Sequence, residues 1–290
     1  MREFVLFTDS SCDLPADLAD QLGLAVVPLS VTVGEDTYKN YLDGREITAK
    51  AFYDAIRDGA DVHTSAVNTQ AFLDALRPVL EEGKDILYLG FSSGLSGTYS
   101  AGAAAVRELA DAYPARKVYA VDTLCASMGQ GLLLYLAAQK KAAGATIEQV
   151  RDYAEETKWK ICHWFTVENL MHLKKGGRVS ATAAIVGTVL NIKPVMHMDM
   201  LGKLAAVGKV RGRRASIRAL FEKMREHVVH PEGQMIFISH GDCEEEAQAL
   251  ANLIRREWQV ADVVLNPVGP VIGAHTGPGV IALFFVGDER

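Results

Sequence analysis

Small hydroxylic residues and glycines fill residues 91–100, FSSGLSGTYS, which is the stretch best suited to chemistry. The apolar residues 85–90 before it predict a buried strand, and the alanine-rich residues 101–109 after it predict a helix. Glycines let the backbone approach a ligand closely, hydroxyls donate hydrogen bonds, and a helix N-terminus carries unpaired N–H groups with partial positive charge. The pattern predicts an anion site, with a capped turn that holds no ligand as the alternative.

Four other loops share this mixture of hydroxyls, glycines and isolated cations, at residues 8–11, 64–65, 176–180 and 275–279. Loops at the carboxyl ends of strands in an α/β sheet meet at one edge, where ligands bind. The first two loops belong to the same part of the chain as the serine-rich stretch, and the last two would face it across a cleft. Because such a pocket has few fixed charges, it suits a carboxylate or a single phosphate better than a nucleoside triphosphate.

Two side chains could add a cation or a proton donor to this pocket. Arg178 follows two glycines, from which its guanidinium could bind a carboxylate or phosphate with two hydrogen bonds. His275 is flanked by small residues and precedes Thr-Gly-Pro-Gly, which predicts a rigid turn. A solvated cation and a hydrogen-bonded structural histidine are the alternatives.

Ser96 must also be considered as a nucleophile. The sequence around it, GLSGT, departs from the G-x-S-x-G elbow because the second glycine comes one residue early. Five histidines could serve as a base, but nothing in the sequence pairs one of them with Ser96: His163, His172, His197, His240 and His275. A serine hydrolase remains the alternative function.

The charge balance argues against nucleic-acid binding. The 290 residues include 30 Lys and Arg against 36 Asp and Glu, for a net charge of −6, whereas nucleic-acid binding normally requires a basic surface. The basic residues concentrate in one segment, at Lys203, Lys209, Arg211, Arg213, Arg214 and Arg218. Such a run is usually a solvated face, and a nucleic-acid patch and a docking surface for an acidic protein are the alternatives.

Several classes of cofactor lack their sequence signatures. The four cysteines include no C-x-x-C pair, residues 240–246 match no metal-binding spacing, and neither a P-loop nor a G-x-G-x-x-G unit occurs. We therefore predict no metal and no cofactor. Scattered cysteines, no signal-peptide pattern and no apolar run of membrane-spanning length predict a soluble cytoplasmic protein.

Strands and helices alternate through the first 160 residues, which predicts a doubly wound parallel sheet. Within this part, residues 24–33 predict one strand in which Pro28 marks an edge or a bulge. Residues 61–68 predict a polar connector.

The pattern changes after residue 160. A helix of small residues is predicted over 181–190, and a hairpin over 196–210 that turns near Leu201 and Gly202. We therefore predict an α/β fold with an N-terminal doubly wound parallel-sheet domain, residues 1–160, and a C-terminal α+β domain, residues 161–290, with the ligand between them.

Motifs along nearly the whole chain resemble, in order, those of the DegV family of bacterial fatty-acid-binding proteins. They are DSSCDL at 9–14, TS at 64–65, SSGLSGTY at 92–99, KGGRVS at 175–180, KP at 193–194, KVR at 209–211 and HTGPG at 275–279. The sequence departs from the family pattern at Val67, where the family usually has proline, and this departure bears on the loop at residues 64–65.

The resemblance implies one long-chain fatty acid held between the domains, with its acyl chain in an apolar tunnel. It implies Thr64 and Ser96 as carboxylate ligands, with Ser65 and Ser93 as neighbours. Arg178 would lie near the head group, as would His275, where both would serve a partner, a dihydroxyacetone-kinase-like fatty-acid kinase that makes acyl-phosphate for phospholipid synthesis. The family role implies no catalysis by this chain and at most peripheral contact with a membrane.

Overall fold

The computed structural model describes residues 2–168, 170–179 and 191–288. Its strands are β1 Phe4–Asp9, β2 Leu24–Val27, β3 Ser30–Val33, β4 Asp36–Lys39, β5 Val62–Ser65, β6 Asp85–Gly90, β7 Val118–Asp122, β8 Ile161–Thr166, β9 Ile192–Met198, β10 Leu204–Arg211, β11 Met235–His240, β12 Asp262–Pro267 and β13 Ile281–Val286. Its helices are α1 Ala16–Gln21, α2 Ala49–Arg57, α3 Thr69–Glu81, α4 Thr98–Ala112, α5 Met128–Ala142, α6 Ile147–Thr157, α7 Met171–Lys175, α8 Arg213–His227, α9 Glu244–Glu257 and α10 Pro270–Thr276. The helix predicted over 181–190 lies outside the described residues.

A four-stranded parallel sheet in the order β2-β1-β6-β7 forms the N-terminal part of the fold. All six residues of β6 are buried, as expected of a central strand in a sheet that helices cover on both faces. Helices α3 and α4 pack on β6. The predicted α/β fold with an N-terminal parallel sheet is confirmed.

The strand predicted over 24–33 is two strands in two different sheets. Pro28 lies between β2 and β3, because a residue without an N–H interrupts the ladder, and the N–H of Leu29 binds Ser10 Oγ at 3.0 Å instead. Strand β3 is the centre of a three-stranded antiparallel sheet, β4-β3-β5. The edge or bulge predicted at Pro28 is therefore a change of sheet.

The predicted polar connector at 61–68 is also wrong, since it contains strand β5. Its residues alternate between half-buried and exposed, and only the pairing with β3 makes them a strand. A short polar strand of this kind has no apolar run that would reveal it.

A six-stranded mixed sheet in the order β10-β9-β8-β13-β11-β12 forms the C-terminal part. The predicted hairpin is confirmed as β9 and β10, whose turn carries Leu201 and Gly202. Helix α5 precedes residue 160 and yet packs on β8, β11 and β13 of this sheet, so that residues from both parts of the chain share one apolar core. The domain boundary at residue 160 stays a prediction.

Buried Asp9, at the end of β1, holds the start of the serine-rich stretch. Its Oδ2 accepts hydrogen bonds from Phe91 N at 2.9 Å and from Tyr88 Oη at 3.1 Å, and its Oδ1 accepts one from Ser11 N at 3.2 Å. Burial raises the pKa of Asp9, and these donors act against that rise. The interaction fixes the point at which the chain leaves β6.

The β9–β10 turn packs directly on the serine-rich stretch. Ser92 Oγ donates to Gly202 O at 2.7 Å, and a Cβ added at Gly94 would lie 2.5 Å from Leu201 O. Gly202 itself has φ +67°, and a Cβ there would clash with Ser92 Oγ. Two glycines thus allow the C-terminal sheet to hold the loop that follows β6.

Replacing Gly202 by alanine tests this contact. Gly202→Ala adds a clash to the cost of a left-handed non-glycine residue, which is about 1–2 kcal/mol. Gly233→Ala is the matched control, since Gly233 has φ +78° with nothing within 4 Å of an added Cβ. Urea unfolding should show the larger loss of stability for Gly202→Ala, and equal losses would contradict the packing described.

Candidate functional site

A cavity of about 330 Å³ lies among residues of the six-stranded sheet, of β5 in the small antiparallel sheet and of the loop that follows β6. This volume is within the range of small-molecule sites. Most of its wall is apolar and comes from elements distant in the sequence, including Leu29, Phe91, Phe165, Met198, Val271 and Phe284. The cavity can therefore receive an apolar group and remove it from water.

The predicted polar residues gather at the more exposed end of this cavity. Thr64 on β5 and His275 in the last turn of α10 are both half-buried, and Thr64 Oγ1 lies 2.9 Å from His275 Nε2. Ser65, Ser96 and Arg178 line the same end. The structure thus brings together five of the six residues proposed for the head group, from four separate segments of the chain.

Ser92, Ser93 and Ser96 have different environments, and the fourth serine of the stretch, Ser100, is exposed on α4. Ser96 is half-buried, and its Oγ contacts Thr98 Oγ1 at 3.0 Å and accepts from Thr98 N at 3.2 Å in the first turn of α4. Ser93 is exposed, does not line the cavity, and donates its backbone N–H to Asp122. Ser92 is fully buried against the hairpin turn. Ser96 is therefore the serine of this stretch that reaches the cavity.

Arg178 joins two segments of the cavity wall. Its Nε donates to Leu95 O at 3.2 Å, and its Nη1 donates to Gly176 O. These bonds leave part of the guanidinium facing the cavity, and they place a positive charge beside the hydroxyls. The alternative of a freely solvated cation does not fit these contacts.

His275 is a neutral imidazole at ordinary pH. Burial, with a smaller effect from the nearby Arg178, lowers the pKa of His275 to about 4. Gly176 packs against its Nδ1, which finds no hydrogen-bond partner among the residues described. His275 therefore lies in helix α10 and not on the predicted rigid turn.

Val67 does not disturb the loop at residues 64–65. Thr64 pairs with Val31 and Ser65 with Ser30 in the antiparallel sheet, so that β3 sets their position. Val67 is buried in the adjoining apolar core. The departure from the family's proline is therefore accommodated by packing.

Sequence reasoning missed a second polar group, deep in the cavity. Ser127 and Ser239 both line it and are buried, and their Oγ atoms lie 3.0 Å apart. Ser127 Oγ also donates to Asp13 Oδ2 at 2.6 Å. Burial raises the pKa of Asp13 to about 7, although the hydrogen bonds from Ser127 and Gly269 lower it. The motif at 9–14 drew attention to Asp13, but nothing in the sequence indicated its two serine partners.

Within residues 2–168, 170–179 and 191–288, no three His, Cys, Asp or Glu side chains are grouped to hold a metal ion. None of the helices in those ranges is both long and apolar enough to cross a bilayer.

The fold and site define an α/β protein with three sheets, whose apolar cavity ends in hydroxyls. The model of a family described as "Uncharacterised protein, DegV family" matches residues 3–288, and the chain belongs to the DegV family. A DegV domain-containing protein of Clostridium perfringens is 43% identical over 290 residues, which cover 100% of this chain and 99% of that protein.

Two solved structures extend this likeness to the fold. A DegV lipid-binding protein of Thermotoga maritima superimposes with a TM-score of 0.86 at 33% identity, over 99% of both chains. A DegV family protein of Thermus thermophilus, solved in a study of its fatty-acid binding, has a TM-score of 0.87 at 32% identity, over 99% of this chain and 100% of that one.

The neutral state of His275 predicts a dependence of stability on pH. The pKa of His275 lies near 4 in the folded protein, below the 6.5 of an unperturbed histidine, so the unfolded chain binds the extra proton first. The stability that the folded protein gains from a neutral His275 is therefore fully present above about pH 6.5 and is lost as the pH falls towards 4. Thermal unfolding of His275→Asn should therefore show less acid sensitivity than the wild type.

Thr64→Val is the matched control for that experiment. It removes the partner of the imidazole but keeps the titrating group, so its stability should stay offset from the wild type by a similar amount at each pH. An acid sensitivity of His275→Asn equal to that of the wild type would contradict a folded pKa well below the unperturbed value.

Proposed function

We propose that this protein binds one long-chain fatty acid in the cavity and presents its carboxylate to a fatty-acid kinase. The observation that carries the proposal is the division of one cavity into a buried apolar part and a hydroxyl-lined end beside a single arginine. Solved relatives described as lipid-binding or fatty-acid-binding proteins share the fold at 32–33% identity.

In this proposal Thr64 and Ser96 bind the carboxylate, with Ser65 at the same end of the cavity. Ser93 is a more distant neighbour because its side chain is exposed outside the cavity. Hydroxyl groups suit this task, since they donate hydrogen bonds to a carboxylate without adding charge.

The acyl chain would supply most of the affinity. Each buried methylene contributes about 0.8 kcal/mol, so a long chain provides ample binding energy without strong head-group contacts. The hydroxyls then determine register and orientation. The guanidinium of Arg178 already donates to two backbone carbonyls, so it is not wholly committed to the carboxylate.

The exposed end of the cavity makes the carboxylate reachable by a second protein. We place the phosphoryl transfer in a dihydroxyacetone-kinase-like fatty-acid kinase, as the family role implies, with acyl-phosphate feeding phospholipid synthesis in the cytoplasm. Arg178 and His275 lie where the two proteins would meet. No nucleic acid has a part in this role, and membrane contact is at most peripheral.

A serine hydrolase is the alternative function, and the environment of Ser96 disfavours it. Its hydroxyl contacts Thr98, and no hydrogen bond joins it to a histidine in the described part of the chain. His275 instead contacts Thr64. A fluorophosphonate probe that labels Ser96 would support the hydrolase, and an unlabelled Ser96 would leave only the carrier.

The direct test is the mass of the ligand that accompanies the purified protein. Native mass spectrometry should show a co-purified fatty acid in roughly equimolar amount. Protein stripped of lipid should take up a long-chain fatty acid again. Stripped, folded protein that binds no fatty acid would overturn the proposal.

Replacing Ser96 should weaken binding only modestly. Ser96→Ala removes one hydrogen bond, worth about 1 kcal/mol, which corresponds to about a fivefold rise in Kd. Ser100→Ala is the matched control, since Ser100 is exposed on α4 outside the cavity. Titration with a fluorescent fatty acid measures both, and complete loss of binding in Ser96→Ala would show that the acyl chain does not dominate.

Replacing Arg178 should separate binding from phosphorylation. Arg178→Ala should bind fatty acid nearly as well as the wild type but support much slower formation of acyl-phosphate by the kinase. Lys175→Ala, which removes a nearby exposed cation paired with Asp61, is the control and should support normal phosphorylation. Loss of binding with normal phosphorylation of the remaining complex would contradict this assignment.

A further inference from the structure

Two buried hydroxyls face the apolar part of the cavity, where a saturated acyl chain would offer them nothing. Ser239 lies on β11 and Ser127 precedes α5, and both line the cavity. Buried polar groups normally find partners, because an unmade hydrogen bond is costly in an apolar environment. The hydrogen bonds of these two serines therefore bear on the kind of chain that the cavity prefers.

The hydrogen bonds run in one direction. Ser127 Oγ donates its only proton to Asp13 Oδ2 at 2.6 Å, a length typical of a hydroxyl bound to a carboxylate. Ser239 Oγ, 3.0 Å from Ser127 Oγ, must then donate its own proton to Ser127. In the described part of the chain no donor is directed at Ser239 Oγ, so it ends the series as an acceptor. Asp13 Oδ1 is occupied by Gly269 N at 3.1 Å.

The series lies away from the head-group end of the cavity. Gly269, which binds Asp13, precedes the first residue of α10, whereas His275 is near the last. Six residues at 1.5 Å each separate them by about 9 Å along the helix. An extended acyl chain is a zigzag, so each carbon–carbon bond of about 1.5 Å advances it by roughly 1.25 Å, and it covers this distance in about seven carbons. Ser127 and Ser239 are joined through Asp13 to the Gly269 end of α10 and not to its His275 end, so a chain whose carboxylate lies at Thr64 would pass them beyond its head group.

We propose that the cavity contains a second polar subsite, Ser239 backed by Ser127 and Asp13, which selects fatty acids that carry a hydroxyl group near the middle of the chain. A mid-chain hydroxyl would donate to Ser239 Oγ and complete the series. A keto group, which only accepts, would meet an oxygen that has no proton to give. This inference rests on the proposed function, which supplies the ligand and its orientation.

The test compares four ligands on the wild type and on Ser239→Ala at pH 8, where Asp13, with a pKa near 7, is mostly ionised. The ligands are stearate, 10-hydroxystearate, 10-oxostearate and 2-hydroxystearate. The affinity of 10-hydroxystearate relative to stearate should fall about fivefold or more in Ser239→Ala, as expected for one lost hydrogen bond. The relative affinities of 10-oxostearate and 2-hydroxystearate should stay within twofold of their wild-type values.

Two further variants control for structural effects. Thr276→Val removes another cavity hydroxyl, one that donates to Ile272 O beside the head group, and should keep the wild-type preference for 10-hydroxystearate over stearate. Ser127→Ala frees the Ser239 proton and should raise the relative affinity of 10-oxostearate. A failure of that increase would overturn the assigned direction of the hydrogen bonds.

The outcomes separate the two proposals. If neither the wild type nor any variant binds stearate or another of the four ligands, the proposed function fails. If stearate binds but Ser239→Ala leaves the relative affinity of 10-hydroxystearate unchanged, the polar subsite is overturned and the carrier function stands. A loss of stearate binding equal to that of 10-hydroxystearate in Ser239→Ala would show a purely structural role for Ser239.

Discussion

The site depends on the buried carboxyl group of Asp13, which joins elements from both ends of the chain. It accepts hydrogen bonds from Ser127, at the start of α5, and from Gly269, at the start of α10, while Asn266 Nδ2 donates to its backbone carbonyl at 2.8 Å. Through Gly269 this residue positions α10. That helix carries His275 to within hydrogen-bond distance of Thr64. The same short helix therefore connects the exposed polar end of the cavity with its buried polar group.

Charge is kept low throughout this arrangement. Burial favours the neutral form of His275, with a pKa near 4, and it moves Asp13 towards its neutral form, with a pKa near 7. Arg178 is the cation at the exposed end, and two backbone carbonyls hold it in place. A cavity with so little fixed charge suits a ligand that is mostly apolar with one anionic end. The physical chemistry of the site thus supports the class of ligand that we propose.

Much of this could be predicted from the sequence, because the informative signals are local. An apolar run located β6, and the serine–glycine stretch drew attention to Ser96, which lines the cavity. Long-range pairing was not readable. Strand β5 is polar and forms only because it pairs with β3. At Pro28 the chain passes from one sheet to another instead of forming a bulge. Ser239 occupies a buried position in an apolar strand, where its partners come from residues more than a hundred positions away.

A crystal structure of the protein loaded with a terminally brominated fatty acid would show directly how the fatty acid is oriented within the cavity. We expect carboxylate density within hydrogen-bond distance of Thr64 Oγ1 and Ser96 Oγ, with the anomalous bromine peak in the apolar part of the cavity, beyond Ser127 and Ser239. A bromine peak beside Arg178 and His275, or a fatty acid bound outside this cavity, would contradict it.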